Sequence, residues 1–303
     1  MRNHATRTFW GRFRRERLAV GSLALLVAVL LICAATLPFT WSRMRAQNLA
    51  DARQPPTWSH PLGTDELGRD MLARTLYGGA ISLSLGLLAA SVAVAIGTTY
   101  GAIAGYVGGR VDVLMMRLVD VIYALPTLLL LMLLTVSLGA RLEQLRWPSG
   151  APVLGAEWAR FAVMAVAIGG VSWLTVARVV RGQVLSLREQ PFVEAARALG
   201  LPTWRILFRH ILPNLAGPII VFATLAVPQA ILQESFLSFL GVGVQPPQAT
   251  WGLLASDGVR LLNPVRFYWW LVVVPGLALS LTLLALNFLG DGLRDALIER
   301  KGI

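Results

Sequence analysis

The sequence predicts an all-α membrane protein, a bundle of six transmembrane helices. Of the 303 residues, 56% are hydrophobic and only 14% are charged, which is too few charges to cover a soluble protein of this length. Six hydrophobic runs reach or approach the roughly 20 residues that a helix needs to cross about 30 Å of hydrocarbon. Because helices satisfy their own backbone hydrogen bonds in lipid, these runs predict helices.

The six runs divide the chain into a short basic tail, a membrane domain and a second tail. The runs cover residues 18–39, 81–107, 113–138, 161–180, 215–236 and 268–289. We therefore expect a cytoplasmic, interfacial tail over residues 1–17, a transmembrane domain over 18–290 and a cytoplasmic tail over 291–303.

Arginine and lysine predict the orientation of the bundle. If the N-terminus is cytoplasmic, 17 of the 27 basic residues lie on the cytoplasmic side, and six arginines precede the first run. Both termini and the loop between the fourth and fifth runs then face the cytoplasm. This topology also explains the net charge of +11, which in a soluble protein would indicate nucleic-acid binding. No nucleic-acid partner is expected.

The first run is longer than the roughly 7 to 15 apolar residues of a secretory signal, so it predicts an uncleaved helix. The preceding Phe9, Trp10 and Phe13 alternate with arginines. This pattern indicates either a tail at the lipid headgroups or a disordered basic tail. Cys33 is the single cysteine, so no disulfide or thiolate-rich metal site forms within one chain.

Residues 41–79 form a polar connection to the second run. Prolines 55, 56 and 61 exclude a continuous helix, whereas residues 70–77 suit a short helix that enters the membrane. Asp65 and Asp70 are candidates to cap backbone amides.

The second and third runs carry two further local patterns. Small residues recur every four positions in the second run, at Ala89, Ala93, Gly97, Gly101 and Gly105. They predict a close packing seam, either with another helix of this chain or with a partner. In the third run, Arg117 and Asp120 are three residues apart and are expected to pair with each other.

The fifth run contains Pro228 and the polar residues Gln229, Gln233 and Glu234. Lipid would not tolerate these polar groups, so they line a translocation path or bond to neighbouring helices. Residues 237–252 then predict an irregular outer loop where a binding protein could dock, because they contain several glycines and a double proline.

The loop at about residues 190–213 predicts two short helices that meet at an angle. Pro191 suits a first helical position, and Glu194 suits the positive end of the helix dipole. Gly200 can end this helix in a left-handed conformation, and Pro202 can start the next one. Ala195, Ala196 and Ala198 keep one side of the first helix thin, so that another protein can close around it.

This loop resembles the coupling motif of ABC-importer permeases. The motif is Glu-Ala-Ala, three residues, Gly, nine residues, Ile, one residue and Leu-Pro, and here it covers Glu194 to Pro213 with His210 in place of the isoleucine. The His210-Ile211-Leu212-Pro213 sequence is similar to the dipeptide/oligopeptide (DppC/OppC-like) branch. Residues 63–70 and 237–252 resemble the same branch.

The resemblance implies a type I importer permease of a bacterial inner membrane, whose coupling-helix loop contacts an ATP-hydrolysing subunit. The coupling residues expected are Glu194, Ala195, Ala196, Gly200, Arg205, Arg209, His210, Leu212 and Pro213. The implied partners are a second, homologous permease, two ATPases, an extracytoplasmic binding protein and membrane lipid.

The chain contains no Gly-x-x-x-x-Gly-Lys-Ser/Thr phosphate loop, so ATP and Mg are expected on the partner subunits. We expect no cofactor, metal site or enzymatic activity in this chain. The expected solutes are di- or oligopeptides, and the alternative within the same architecture is a nickel chelate or another small solute. A secondary transporter would need paired mid-membrane acids and about twice as many helices, and a scaffold or sensor would leave the loop unexplained.

Overall fold

A computed structural model describes residues 10–144, 155–262 and 266–298, and this part of the chain is helical without β-strands. The helices, numbered in chain order, are α1 Arg17–Arg43, α2 Met71–Val107, α3 Gly109–Tyr123, α4 Thr127–Gln144, α5 Ala156–Leu187, α6 Pro191–Ala198, α7 Thr203–Ile206, α8 Leu212–Phe239, α9 Trp251–Arg260 and α10 Trp269–Ile298. A 3₁₀ turn covers Leu49–Asp51, and a π-helical turn, Leu207–Ile211, joins α7 to α8.

Five helical stretches in the described residues are long and apolar enough to cross a membrane. They are α1, α2, α5, the continuous α7–α8 stretch and α10. The third predicted run is not one straight helix, because α3 and α4 meet at an angle of 89°. Pro126 explains the break, since a proline disfavours helical geometry at the residue before it. The all-α prediction is confirmed, and the count of six is reached when the bent pair is taken as one broken span.

The first and last described parts of the chain pack together at one end of the bundle. Phe13 is 3% exposed and packs in a cluster with Ala19 of α1 and Ala296 of α10. Phe13 is therefore buried in the protein, while Phe9 is outside the described residues. Residues 291–298, expected as a tail, continue α10. Within the predicted tails, residues 1–9 and 299–303 are outside the described part.

We call this end of the bundle the terminal end. It also holds the start of α8, because a Cβ placed on Gly217 would lie 3.4 Å from Leu297 of α10. The opposite end, which holds residues 44–70 and 240–262, is the far end.

The small residues of α2 pack against α5 of the same chain. A Cβ placed on Gly101 would lie 2.3 Å from the carbonyl oxygen of Ala177, and one placed on Gly97 would lie 2.6 Å from the Val176 side chain. Only glycine allows this approach. The predicted seam is therefore an internal one.

Asp120 does not pair with Arg117. Its Oδ1 accepts a hydrogen bond from Nη2 of Arg178 at 2.7 Å, and the Arg178 guanidinium also lies 4.4 Å from the Tyr123 ring centre. The prediction was wrong because α5 brings Arg178 to the carboxylate across the helix interface. Asp112 forms a second pair between these helices, with Arg181.

A buried polar network holds the far end together. Asp65 accepts hydrogen bonds from the backbone of Leu67 and Arg69, from Nε of Arg69 at 2.6 Å and from Nη1 of Arg74 at 2.5 Å. Asp70 caps α2 by accepting a hydrogen bond from the backbone of Ala73 at 2.9 Å. Both aspartates therefore cap backbone amides, as the sequence predicted.

Helix α9 was not predicted. Thr250 begins it by accepting a hydrogen bond from the Leu253 backbone, and Asp257 within it forms an ion pair of 3.5 Å with Arg74. Burial raises the pKa of the Asp257 carboxyl, an effect that nearby Arg74 and Arg69 oppose. The irregular part of the predicted outer loop is thus confined to residues 240–250.

Candidate functional site

The first helix of the 190–213 segment begins and ends as predicted. Pro191 occupies the start of α6, and Glu194 lies exposed in its first turn. At the other end, Gly200 has φ +72° and donates from its N–H to the Arg197 carbonyl at 2.9 Å, while Leu201 donates to Ala196 at 3.2 Å. This pair of bonds is a Schellman motif, which closes a helix and turns the chain sharply.

The second part of the segment is not a separate short helix. The chain restarts after Pro202 at Thr203–Ile206, continues through the π-helical turn and enters α8 without a break. Pro213, which has no N–H to continue the helical ladder, is the second residue after this turn. The segment therefore consists of one short helix and the first turns of a membrane-spanning helix.

Two residues of α6 attach the segment to the bundle. Val193 is fully buried and Ala196 is 4% exposed, and both join an apolar cluster with residues of α5 and α8. The other buried members of this cluster are Ala102, Val176, Val180, Val184, Ile206, Leu207, Ile211 and Leu215. Ala196 therefore faces its own bundle and not a thin outer side, whereas Ala195 and Ala198 are exposed.

The remaining predicted coupling residues lie mainly on the surface. The exposed ones are Glu194, Ala195, Gly200, Arg205, Arg209 and Pro213, and the half-buried ones are His210 and Leu212. The structure thus brings exposed positive charge and a rigid turn together at the terminal end.

The sequence analysis did not predict that three large apolar side chains lie on this surface. Leu199 is 81% exposed, Trp204 is 61% exposed and Phe208 is 60% exposed. Trp204 and Phe208 are four residues apart, which places them on one helix face, and this spacing was the available signal. An apolar patch bordered by arginines, here Arg205 and Arg209, is typical of a surface that binds another protein.

The three polar residues of the fifth predicted run do not share one surface. Gln229 is exposed, and Gln233 is half-buried and accepts a 3.4 Å hydrogen bond from Ser172 of α5. Glu234 is fully buried, and its Oε1 accepts hydrogen bonds from Ser238 and Thr250, both at 2.7 Å. One residue turns a helix by about 100°, so Glu234 points into the protein towards the start of α9.

Within the described residues, no three His, Cys, Asp or Glu side chains converge in a way that could hold a metal ion. His210 lies in the π-helical turn, and its carbonyl oxygen accepts a hydrogen bond from the Asn214 amide at 2.6 Å. The side chains that this site presents are exposed apolar and basic ones.

Comparisons with known proteins agree with this geometry. Residues 97–302 match the family model described as binding-protein-dependent transport system inner membrane component, and residues 5–56 match the N-terminal TM domain of oligopeptide transport permease C. The dipeptide transport system permease protein DppC of Bacillus subtilis is 42% identical over 96% of this chain and 85% of its own length.

Two further relatives cover similar shares. The oligopeptide transport system permease protein OppC of Escherichia coli K12 is 43% identical over 94% of this chain and 88% of its own. The glutathione transport system permease protein GsiD of Pectobacterium atrosepticum is 36% identical over 96% of this chain and 90% of its own. The chain therefore belongs to the binding-protein-dependent transport system inner membrane components, the permeases of ABC importers, in their dipeptide and oligopeptide branch.

Proposed function

We propose that this chain forms part of the path by which peptides enter a bacterial cell across the cytoplasmic membrane, driven by ATP hydrolysis on partner subunits. The names of its relatives, which are dipeptide, oligopeptide and glutathione permeases, support this class of solute. The complex we propose contains a second homologous permease, two ATPases and an extracytoplasmic binding protein. Both termini and the 190–213 segment face the cytoplasm in this proposal.

The observation that carries the proposal is the 190–213 segment. Its inner side is held by Val193 and Ala196, while its outer side presents Trp204, Phe208 and exposed arginines. A rigid base with an exposed apolar and basic surface suits a contact that must transmit force to an ATPase. No cofactor is assigned to this chain, and ATP and Mg belong to the ATPases.

The continuous helix supports a route for that force. The stretch Thr203–Phe239 has 37 residues and so is about 55 Å long at 1.5 Å per residue. When ATP draws the two ATPases together, the segment moves with them, and the same helix carries that motion to Gln229 and Gln233. The bundle then tilts from an inward-open to an outward-open arrangement.

We assign the translocation path to Gln229 and Gln233 and a different role to Glu234. Gln229 is exposed on the single chain and Gln233 is half-buried, so both can meet a solute between two permeases. Glu234 instead holds Thr250 at the start of α9.

Thiol labelling tests the path. In a Cys33→Ala background, Gln229→Cys and Gln233→Cys should react with membrane-impermeant thiol reagents in at least one transport state, whereas Ile220→Cys, on the opposite face of α8 and 51% exposed, should not. If the cysteines at both positions were unreactive in every transport state, the proposed path would be rejected.

Gly200 provides the test of coupling. Its φ of +72° disfavours any β-branched residue, yet no atom outside its neighbours lies within 4 Å of a Cβ placed there. Gly200→Val should therefore reshape the turn without a clash, so that ATP hydrolysis continues while peptide uptake falls. Gly182→Val is the matched control, because Gly182 is exposed at the end of α5, has no positive φ and also has free space. Normal peptide uptake by Gly200→Val would contradict the proposed coupling role.

Two purifications test the partners and the solute. Arg205→Ala should reduce co-purification with the ATPases more than Arg110→Ala, a change to an exposed arginine in the first turn of α3 at the terminal end. Mass spectrometry of the ligand on the purified cognate binding protein should identify a peptide. A nickel chelate or another small solute there would replace the peptide assignment and leave the coupling proposal intact.

A further inference from the structure

An apolar cavity of about 720 Å³ lies towards the far end, between α1, α2 and the start of α5. The side chains that matter here are Leu30, Ala34 and Trp41 of α1, Tyr77 and Leu87 of α2, and Trp158 of α5. The coupling and translocation roles proposed above use none of these residues.

The cavity opens sideways to the hydrocarbon and is about as long as one leaflet is thick. Leu30, Leu87 and Trp158 at its rim are 44%, 46% and 47% exposed. The stretches Leu30 to Trp41 and Tyr77 to Leu87 each extend for about 15 Å along their helices, which is half of the roughly 30 Å hydrocarbon core. Trp41 and Trp158 stand near the helix ends, where tryptophans prefer the membrane interface.

Tyr77 forms part of the wall of this apolar space near Trp41. It is 1% exposed, and its hydroxyl is buried away from the open part of the cavity. The tyrosine ring packs on Trp41, with ring centres 5.6 Å apart, which fixes this part of the wall.

An ion pair lies beside the same end of the cavity. Arg45 stacks over the Trp41 ring at 3.8 Å and donates from Nη2 to both carboxylate oxygens of Glu157, at 2.9 and 3.1 Å. This pair offers one positive and one negative group and has no net charge. It complements a zwitterionic headgroup better than an anionic one.

We propose that the cavity holds the acyl chains of one zwitterionic phospholipid from the leaflet at the far end. The chains lie along α1 and α2, and the phosphate and ammonium groups face Arg45 and Glu157. Lipid suits the cavity because apolar side chains line it and the neutral Arg45–Glu157 pair beside it matches a zwitterionic headgroup.

Lipid retention by the assembled transporter tests the site. The complex is purified, exchanged into phosphatidylethanolamine or phosphatidylglycerol, and examined by native mass spectrometry for lipid that survives delipidation. Wild type should retain phosphatidylethanolamine preferentially. Ala34→Phe, which fills the cavity, should lower this retention about tenfold or more, whereas Ala35→Phe on the adjacent exposed position should not. Equal retention by the two variants would overturn the site, and equal retention of the two lipids would overturn the headgroup assignment.

Photo-crosslinking separates lipid from protein as the occupant. A benzoylphenylalanine at position 30, on the rim, should form an adduct with the mass of a phospholipid in native membranes. An adduct with the second permease would overturn the proposal, because it would show that a protein covers the cavity.

Discussion

The far end of the bundle and the 190–213 segment at the terminal end use their charged residues in opposite ways. At the far end, Asp65, Arg69 and Arg74 are 4%, 7% and 2% exposed and form hydrogen-bonded ion pairs centred on Asp65. At the terminal end, Glu194 and Arg209 are exposed, and the described residues provide no ion-pair partner for either.

The charged residues of the two regions therefore have different tasks. Charges at the far end satisfy one another and hold the 44–70 connection against α2 and α9. Charges of the 190–213 segment remain available, and the apolar side chains beside them are exposed as well. Substitutions at the far end should therefore reduce stability, whereas substitutions on this segment should reduce partner binding.

The largest expected effect is that of Asp65→Asn at the far end. It removes the charge that balances Arg69 and Arg74, and breaking a buried ion pair costs about 3–5 kcal/mol. We expect a large fall in the thermal unfolding temperature of the detergent-solubilised protein, or loss of folded protein. Glu66→Gln, at the exposed neighbouring acid, is the control and should change little. An unchanged unfolding temperature for Asp65→Asn would mean that the network does not hold this end.

Trp204→Ala tests the terminal end, with an effect on binding. Truncation of an exposed aromatic anchor at a protein interface costs about 2 kcal/mol or more, or roughly 30-fold in affinity. We expect weaker binding of the ATPase subunits in a pull-down titration, with an unfolding temperature close to wild type. A loss of stability without a loss of binding would contradict the division between the ends.

Gly101→Ala tests the seam that connects the two ends. The added Cβ would lie 2.3 Å from the Ala177 carbonyl oxygen, and overpacking of this kind costs about 1–3 kcal/mol. We expect a lower unfolding temperature. Gly170→Ala, with no atom within 4 Å of its Cβ on α5, should not lower it. If both variants behaved alike, close packing of α2 on α5 would not matter for stability.

The smallest expected effect is that of Asp120→Asn. The Asp120 and Arg178 side chains are 66% and 48% exposed, and exposed pairs contribute about 0–1 kcal/mol. We expect stability and peptide uptake near wild type. Strongly reduced uptake at normal stability would instead give Asp120 a direct role in transport.

Sequence reasoning succeeded where a residue determines the structure of residues close to it in the chain. Pro191 and Gly200 set the limits of α6 through backbone geometry, and Asp65 and Asp70 cap amides two to four residues away. Family membership also followed from the sequence, because the motif residues are close together in it.

Prediction was poorer where distant helices decide the outcome. Asp120 meets Arg178 from another helix, 58 residues away, and Glu234 is buried because Thr250 approaches it at the start of α9. The burial of Ala196 and the exposure of Trp204 likewise depend on how the 190–213 segment packs against α5 and α8. The break in the third span was not predicted, because the hydrophobic run continues across Pro126 and hydropathy contains no information on backbone geometry.

The π-helical turn, Leu207–Ile211, sets the rotation between two parts of one continuous helix. Such a turn carries one residue more than an α-helix needs, and each residue rotates the following side chains by about 100°. The side chains of α8 are therefore rotated about the helix axis relative to those of α7. Deleting a single residue there would turn Trp204 by about 100° relative to Gln229.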